Sequence, residues 1–175
     1  FDYKKKRNRS EETANRAFLD WRAERLLADS PWSLFAHGTL EYDEFKPFDI
    51  RVTTDLGVGC QLIRSERTKL TSRTGAGFSR EIGGPDNDFV PELVFGADLE
   101  HRLTERGKLK GTVEHTPDVT RFGEYRLRGQ VSWESVLDER MNLSLKLTAQ
   151  DIYDSTPNGG KPNELDYAAM LMWSF

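Results

Sequence analysis

The chain ends in LDYAAMLMWSF, residues 165–175, and this stretch alternates with a period of two. Successive side chains of a β-strand point to opposite faces of its sheet, so such a pattern predicts a strand with one continuous apolar face. That face must find an apolar environment. Its members, read backwards from the last residue, are Phe175, Trp173, Leu171, Ala169, Tyr167 and Leu165.

The same alternation recurs along the whole chain and predicts an all-β protein. Only the stretch at 15–27 also has helical propensity, and there the alternation of Ala17, Leu19 and Trp21 with charged residues favours a strand. We predict ten strands, near 1–7, 15–27, 32–43, 50–63, 69–80, 89–101, 108–116, 125–136, 142–153 and 165–175.

Composition limits the class of protein. The 175 residues are 37% hydrophobic and 31% charged, with a net charge of -4, which suits one domain over 1–175 with sparingly placed apolar residues. No apolar run reaches the roughly 18 residues of a membrane-spanning helix. The single cysteine, Cys60, excludes an internal disulfide framework and a cysteine zinc site. The sequence has no long basic stripe of the kind that nucleic-acid binding requires, and it has no motif that predicts a cofactor.

The connections between the predicted strands alternate in length. Short turns (ADSP, RSERT, TERG, LDER) follow longer loops (NRSEETA, EFKPFD, EIGGPDND, PDVTRFGE, DSTPNGGKPNE) in strict order. In an up-and-down antiparallel sheet, all short turns then lie at one end and all long loops at the other. Transmembrane β-barrels have this arrangement, with short periplasmic turns and longer extracellular loops.

Aromatic residues cluster near the predicted strand ends, at two levels. Trp32 and Tyr42 are ten residues apart. This spacing is about 33 Å along a strand, or about 25 Å after a typical tilt, which is the height of an outer-membrane apolar band. We therefore predict a transmembrane β-barrel whose apolar face contacts lipid. The predicted membrane-interface aromatics are Trp32, Tyr42, Tyr125, Trp133, Tyr167, Trp173 and Phe175.

The opposite face of the same strands carries acids and bases in mixture, which predicts a lumen of paired, hydrated charges. A ring of one sign would have predicted ion selectivity. The mixture is compatible with a narrow polar channel or with a filled interior. The predicted lumen-facing residues are His37, Glu41, Asp43, Arg51, Asp55, Arg73, Glu92, Asp98, Glu100, Arg126, Arg128 and Lys146.

Four other hypotheses fit parts of the sequence. A soluble calycin-like barrel that binds an apolar ligand has the same strand pattern with its apolar face inward. His115 with Glu114 and Asp118 is the best candidate for enzymatic chemistry, but neighbours on a strand face opposite ways. The third hypothesis is a cation site at Glu41, Asp43 and Asp49, and the fourth is a lipopolysaccharide contact at 4–7. For both sets of residues, hydrated charges at the rim are the simpler explanation.

Three segments, at 40–62, 71–81 and 142–175, give the chain its resemblance to the family of salt-induced outer-membrane proteins, a domain of unknown function. The resemblance implies a barrel of about twelve strands, two of them upstream of Phe1, where FDYKKKRN reads as the middle of a strand. It also implies a non-enzymatic protein of the bacterial outer membrane, structural or porin-like, induced by salt or envelope stress. The implied partners are outer-membrane lipid, lipopolysaccharide and the barrel-assembly machinery, which reads a terminal Phe.

Overall fold

A computed structural model describes residues 2–8, 11–46, 48–84, 87–157 and 161–173, with side chains from residue 15 onward. These residues form one ten-stranded sheet in which every pairing is antiparallel and joins neighbours in sequence. The strands are β1 (Asp2–Asn8), β2 (Glu11–Leu26), β3 (Trp32–Asp43), β4 (Ile50–Arg64), β5 (Thr68–Ile82), β6 (Phe89–Arg102), β7 (Gly107–Pro117), β8 (Tyr125–Asp138), β9 (Leu143–Asp154) and β10 (Asn163–Trp173).

The predicted all-β, up-and-down architecture is confirmed. The described part of the chain contains no helix, and so none that is long and apolar enough to cross a membrane. The segment at 15–27, where the sequence allowed a helix, lies in β2.

The sheet curls into a half-barrel, and this curvature brings charged side chains of one face together across it. The Arg16 guanidinium on β2 lies 2.6 Å from Asp166 on β10. Arg51 on β4 lies 3.4 Å from Asp154 on β9. We call the face that carries these contacts the concave face and the other the convex face. No backbone ladder joins β1 to β10 among the described residues.

The two faces have opposite polarity, and the polar one is buried. On the convex face Leu34, Leu56 and Leu171 are 49%, 63% and 68% exposed. On the concave face Asp55 and His37 are 1% and 3% exposed. The buried hydrophobic residues in the described part are few: Phe35, Phe48 and Val94. The usual arrangement of an apolar core under a polar surface is therefore reversed.

Connection lengths sort by end as predicted, with one exception. The connections 27–31, 65–67, 103–106 and 139–142 form the short-loop end, and 44–49, 83–88, 118–124 and 155–162 form the long-loop end. The prediction of a long loop at NRSEETA was wrong, because β2 begins at Glu11 and pairs with β1 as far as Asn8. The polar composition there suggested a loop, but backbone pairing does not require apolar side chains.

Close packing on the concave face depends on glycine. A side chain at Gly57 would collide with the Thr74 carbonyl and the Gly75 Cα on β5, and with the Phe35 ring that lies over it. Gly57 thus lets Phe35 fill the space inside the sheet.

We predict that Gly57→Ala lowers the free energy of unfolding by about 1–3 kcal/mol, because the backbone of β5 must move to admit the methyl group. Gly129→Ala is the matched control, since a Cβ there meets no atom within 4 Å. Denaturant titration followed by tryptophan fluorescence measures both. Equal effects of the two substitutions would contradict the packing described here.

Candidate functional site: the charged interior

The twelve residues predicted to face the lumen all lie on the concave face, as the strand register places them. Glu41 is opposite Arg51 on β4, and Gly96, between Glu92 and Asp98 on β6, is opposite Glu114. The side chains of His37, Asp55, Arg73 and Glu92 are buried, and those of Glu41, Asp43, Arg51, Asp98, Glu100, Arg126, Arg128 and Lys146 are half-buried.

Near the long-loop end, the concave face is neutralised by ion pairs between strands. Arg126 on β8 donates from Nη2 to both carboxylate oxygens of Glu92 on β6, at 2.7 and 3.0 Å. Ser79 Oγ donates to the same carboxylate at 2.7 Å. Arg51 pairs with Glu81 on the next strand and approaches Asp154. A carboxylate that accepts a two-oxygen contact from arginine is held in one geometry.

At mid-height the interior is filled. The His37 ring lies between two carboxylates, with Nδ1 3.2 Å from Asp55 Oδ2 and Nε2 3.3 Å from Asp20 Oδ1. Arg73 is ion-paired with Asp98. Val94, from β6, is 1% exposed beside this layer. Of the two alternatives left open by the sequence, a filled interior fits this part of the structure better than an open channel.

A cavity of about 320 Å³ opens at the long-loop end, above the filled layer. Hydroxyl, carboxylate and guanidinium groups line it, so it suits water or a small polar solute. Its lining includes Arg51, Ser79, Glu81, Glu92, Asp118, Arg121, Glu124, Tyr125, Arg126 and Asp154.

Asp118 anchors the loop 118–124 at the rim of this cavity. Its carboxylate accepts hydrogen bonds from the Thr120 backbone and hydroxyl, both at 2.6 Å, and from the Arg121 backbone at 3.1 Å. Burial opposes ionisation, but the bonds from Thr120 and Arg121 outweigh it, so the pKa of Asp118 lies below its ordinary value.

The predicted interface aromatics lie on the convex face as far as the structure describes them. Trp32, Trp133 and Trp173 lie towards the short-loop end, and Tyr42 and Tyr125 towards the long-loop end. Tyr167 on β10 is 75% exposed and lies opposite Ala149 on β9. Phe175 is outside the described residues. Ring contacts link Phe95, His115, Tyr125 and Tyr153, with centroids 6.5, 5.1 and 5.5 Å apart.

The structure does not assemble the enzymatic constellation considered from the sequence. His115 stacks among aromatic rings on the convex face, whereas Glu114 points the other way and lies 3.5 Å from Arg22.

The cation site considered at the upper rim is not assembled either. Glu41 is ion-paired with Lys46 at 2.6 Å, and the described residues contain no group of three potential metal ligands. The side chains at 4–7 lie outside the described part.

Several partners in the interior were not identified from the sequence. Glu81, Asp154 and Asp166 neutralise Arg51 and Arg16, and Phe35 fills space among polar groups. The pairing of Arg51 with Glu81 follows from cross-strand register once the β4–β5 turn is known. The contact of Arg16 with Asp166 joins residues 150 apart and has no local signal.

We predict that Glu92→Gln lowers the free energy of unfolding by about 3–5 kcal/mol, because it leaves the Arg126 guanidinium half-buried without its counter-charge. Glu139→Gln is the control. This substitution removes the ion pair with Arg106, in which both side chains are 64% exposed. It should change the free energy of unfolding by less than about 1 kcal/mol. Denaturant titration distinguishes the two, and similar losses would show that the Glu92 pair does not organise the interior.

The lowered pKa of Asp118 predicts a specific acid response. Ionised Asp118 stabilises the folded state above the ordinary aspartate pKa of about 3.9, and this stabilisation is lost as pH falls through the lowered folded-state pKa. The difference in unfolding free energy between wild type and Asp118→Asn should be constant from about pH 7 to pH 5 and shrink below about pH 4. A difference that stayed constant down to pH 2 would refute the assignment.

Comparison with known families gives one match. The sequence model of a family described as "Protein of unknown function, DUF481" matches residues 1–175. That description mentions neither salt nor the outer membrane. No curated protein matches the chain, and no solved structure does.

Proposed function

The chain belongs to the DUF481 family, whose function is unknown, and we propose from its geometry that it is an integral β-barrel protein of the bacterial outer membrane. In this proposal it is non-enzymatic and mainly structural, with at most a narrow polar passage. The observation that carries the proposal is the reversed polarity of the sheet, with exposed leucines outside and buried ion pairs inside.

A bilayer is the environment that makes this polarity favourable. Apolar side chains on the convex face would contact acyl chains, while ionised groups on the concave face would be shielded from lipid by the sheet itself. In water the same convex face would expose an apolar patch far larger than soluble monomers carry. Its exposed members include Leu19, Trp21, Leu34, Leu40, Leu56, Phe78, Phe95, Val113, Val131, Leu147, Leu165 and Leu171.

The charge distribution on the convex face supports a lipid-facing surface. Between Trp32 and Tyr42, its residues on β3 are Leu34, Ala36, Gly38 and Leu40, without a charge. Arg80, near the long-loop end, lies with its guanidinium 4.7 Å from the Phe89 ring. A cation at this level can reach polar lipid headgroups while its stem stays in the apolar band.

Loop lengths supply the proposed orientation. Short turns of outer-membrane barrels face the periplasm and long loops face outward. Lipopolysaccharide would then surround the long-loop end. The barrel-assembly machinery would recognise the alternating carboxyl-terminal strand, β10, which is an edge of the described sheet.

The filled mid-height layer favours a structural role over a wide pore. Side chains of His37, Asp55, Arg73 and Val94 leave that layer almost inaccessible. A link to salt or envelope stress stays a prediction from the resemblance alone.

The rival hypothesis, a soluble calycin-like barrel, requires an apolar binding surface on the concave face. That face instead carries ionised groups, and Phe35 and Val94 are its buried apolar residues in the described part of the strands. The rival therefore has little support from the distribution of side chains.

One substitution separates the two hypotheses. Leu56 lies mid-strand on the convex face and is 63% exposed. In a bilayer, Leu56→Arg should cost about 2–4 kcal/mol of folding free energy, whereas on a water-facing surface it should cost less than about 0.5 kcal/mol. Reversible folding into lipid vesicles, titrated with urea, gives the value.

Leu103→Arg is the matched control, because Leu103 lies in the short turn 103–106 and is 53% exposed. It should be nearly neutral. Wild-type protein should also be recovered with detergent-extracted outer membranes. Full solubility without detergent, or equal effects of the two arginine substitutions, would refute the membrane proposal.

A further inference from the structure

The concave face differs sharply between its two ends. Each of the six strands β4–β9 contributes two inward-facing positions next to the short-loop end. Six of these twelve positions are cations and two are carboxylates, an excess of four positive charges. The cations are Arg64, Lys69, Arg102, Lys108, Lys110 and Lys146, and the carboxylates are Glu100 and Glu134. We call these six cations the basic mouth.

Like charges face each other directly in the basic mouth. Arg64 is the cross-strand partner of Lys69, and Arg102 is the partner of Lys108. At the other end of the same β4–β5 hairpin, Arg51 is opposite Glu81. Like charges directly opposite each other destabilise a sheet, so the long-loop end follows the stable pattern and the basic mouth departs from it.

The nearby acidic residues do not remove the excess. Glu100 lies between Lys69 and Lys110 in the register, 3.8 Å from Lys110 Nζ. Glu134 lies between Lys108 and Lys146. Two carboxylates are thus shared among four lysines, and no carboxylate is left to neutralise Arg64 and Arg102. Within the described part of the chain, Arg64, Lys69, Arg102 and Lys108 have no carboxylate within 4.0 Å.

The short turns beyond the strands add no net charge. Each of the three turns adjoining the basic mouth has one glutamate and one arginine. Arg106 and Glu139, which belong to two different turns, form an ion pair at 2.9 Å. The residues are Glu66 and Arg67, Glu105 and Arg106, and Glu139 and Arg140. The positive excess is therefore confined to the concave face.

We propose that the basic mouth binds a small multivalent anion that carries several phosphate-type groups. Arginine forks and lysine ammonium groups on adjacent strands suit anionic oxygens a few ångströms apart. Lipid headgroups around a barrel would lie on the convex side, so the concave position favours a soluble anion over an anionic lipid. A bound anion would also remove the repulsion between the facing cations.

Tripolyphosphate is a suitable probe, titrated calorimetrically into the full chain in zwitterionic nanodiscs at about 0.15 M salt, where the screening length is about 8 Å. Binding is expected for wild type. Lys69→Gln with Lys108→Gln should weaken it by about tenfold or more, because two of the six cations that would face the anion lose their charge.

Arg106→Gln with Arg140→Gln is the matched control, with the same charge change at the same end but in the turns. Its tripolyphosphate affinity should stay within about twofold of wild type. A second arm replaces tripolyphosphate with nanodiscs containing phosphatidylglycerol, to which a lipid-headgroup site would respond instead.

Three results would overturn the proposal. These are no tripolyphosphate binding by wild type, equal weakening in the two double variants, or binding that follows phosphatidylglycerol alone. Failure of the membrane proposal would be visible separately, as solubility without detergent.

Discussion

The structure depends on cross-strand register between charged residues of the concave face. A period-two chain in which one face is apolar must place its charges on the other, and a curled sheet encloses them. Enclosed charges are tolerated only when an opposite charge or a hydrogen-bond partner lies beside them. Register supplies that partner for Arg51 opposite Glu81, and curvature supplies it for Arg126 and Glu92, two strands apart.

Filling of the interior follows from the same constraint together with small residues. Where glycines lie on the concave face, large neighbours occupy the space that a side chain would have taken. Gly57 accommodates the Phe35 ring, and Gly77 adjoins the Asp55 carboxylate. Charges are thereby packed in layers, and a cavity of about 320 Å³ opens at the long-loop end. This arrangement suits a rigid wall better than a conduit.

The residues on each face could be predicted without coordinates, but their partners could not. Alternation placed His37 and Asp55 on one side and Leu34 and Leu56 on the other, because side-chain direction in a strand depends only on parity. The sandwich of His37 between Asp20 and Asp55 required the registers of two pairings. The start of β2 at Glu11, ahead of the predicted strand at 15–27, was missed because the polar residues at 11–14 carry no periodic signal.

By itself, then, the sequence determined the strands, their order in an up-and-down sheet and which face of each is apolar, since all three follow from local periodicity and short connections. Tertiary structure decided which charges meet across the interior, that the middle layer is filled, and that cations from three hairpins converge in the basic mouth. These features depend on the registers of all the successive strand pairings and on the curvature of the whole sheet, and neither can be deduced from one short segment.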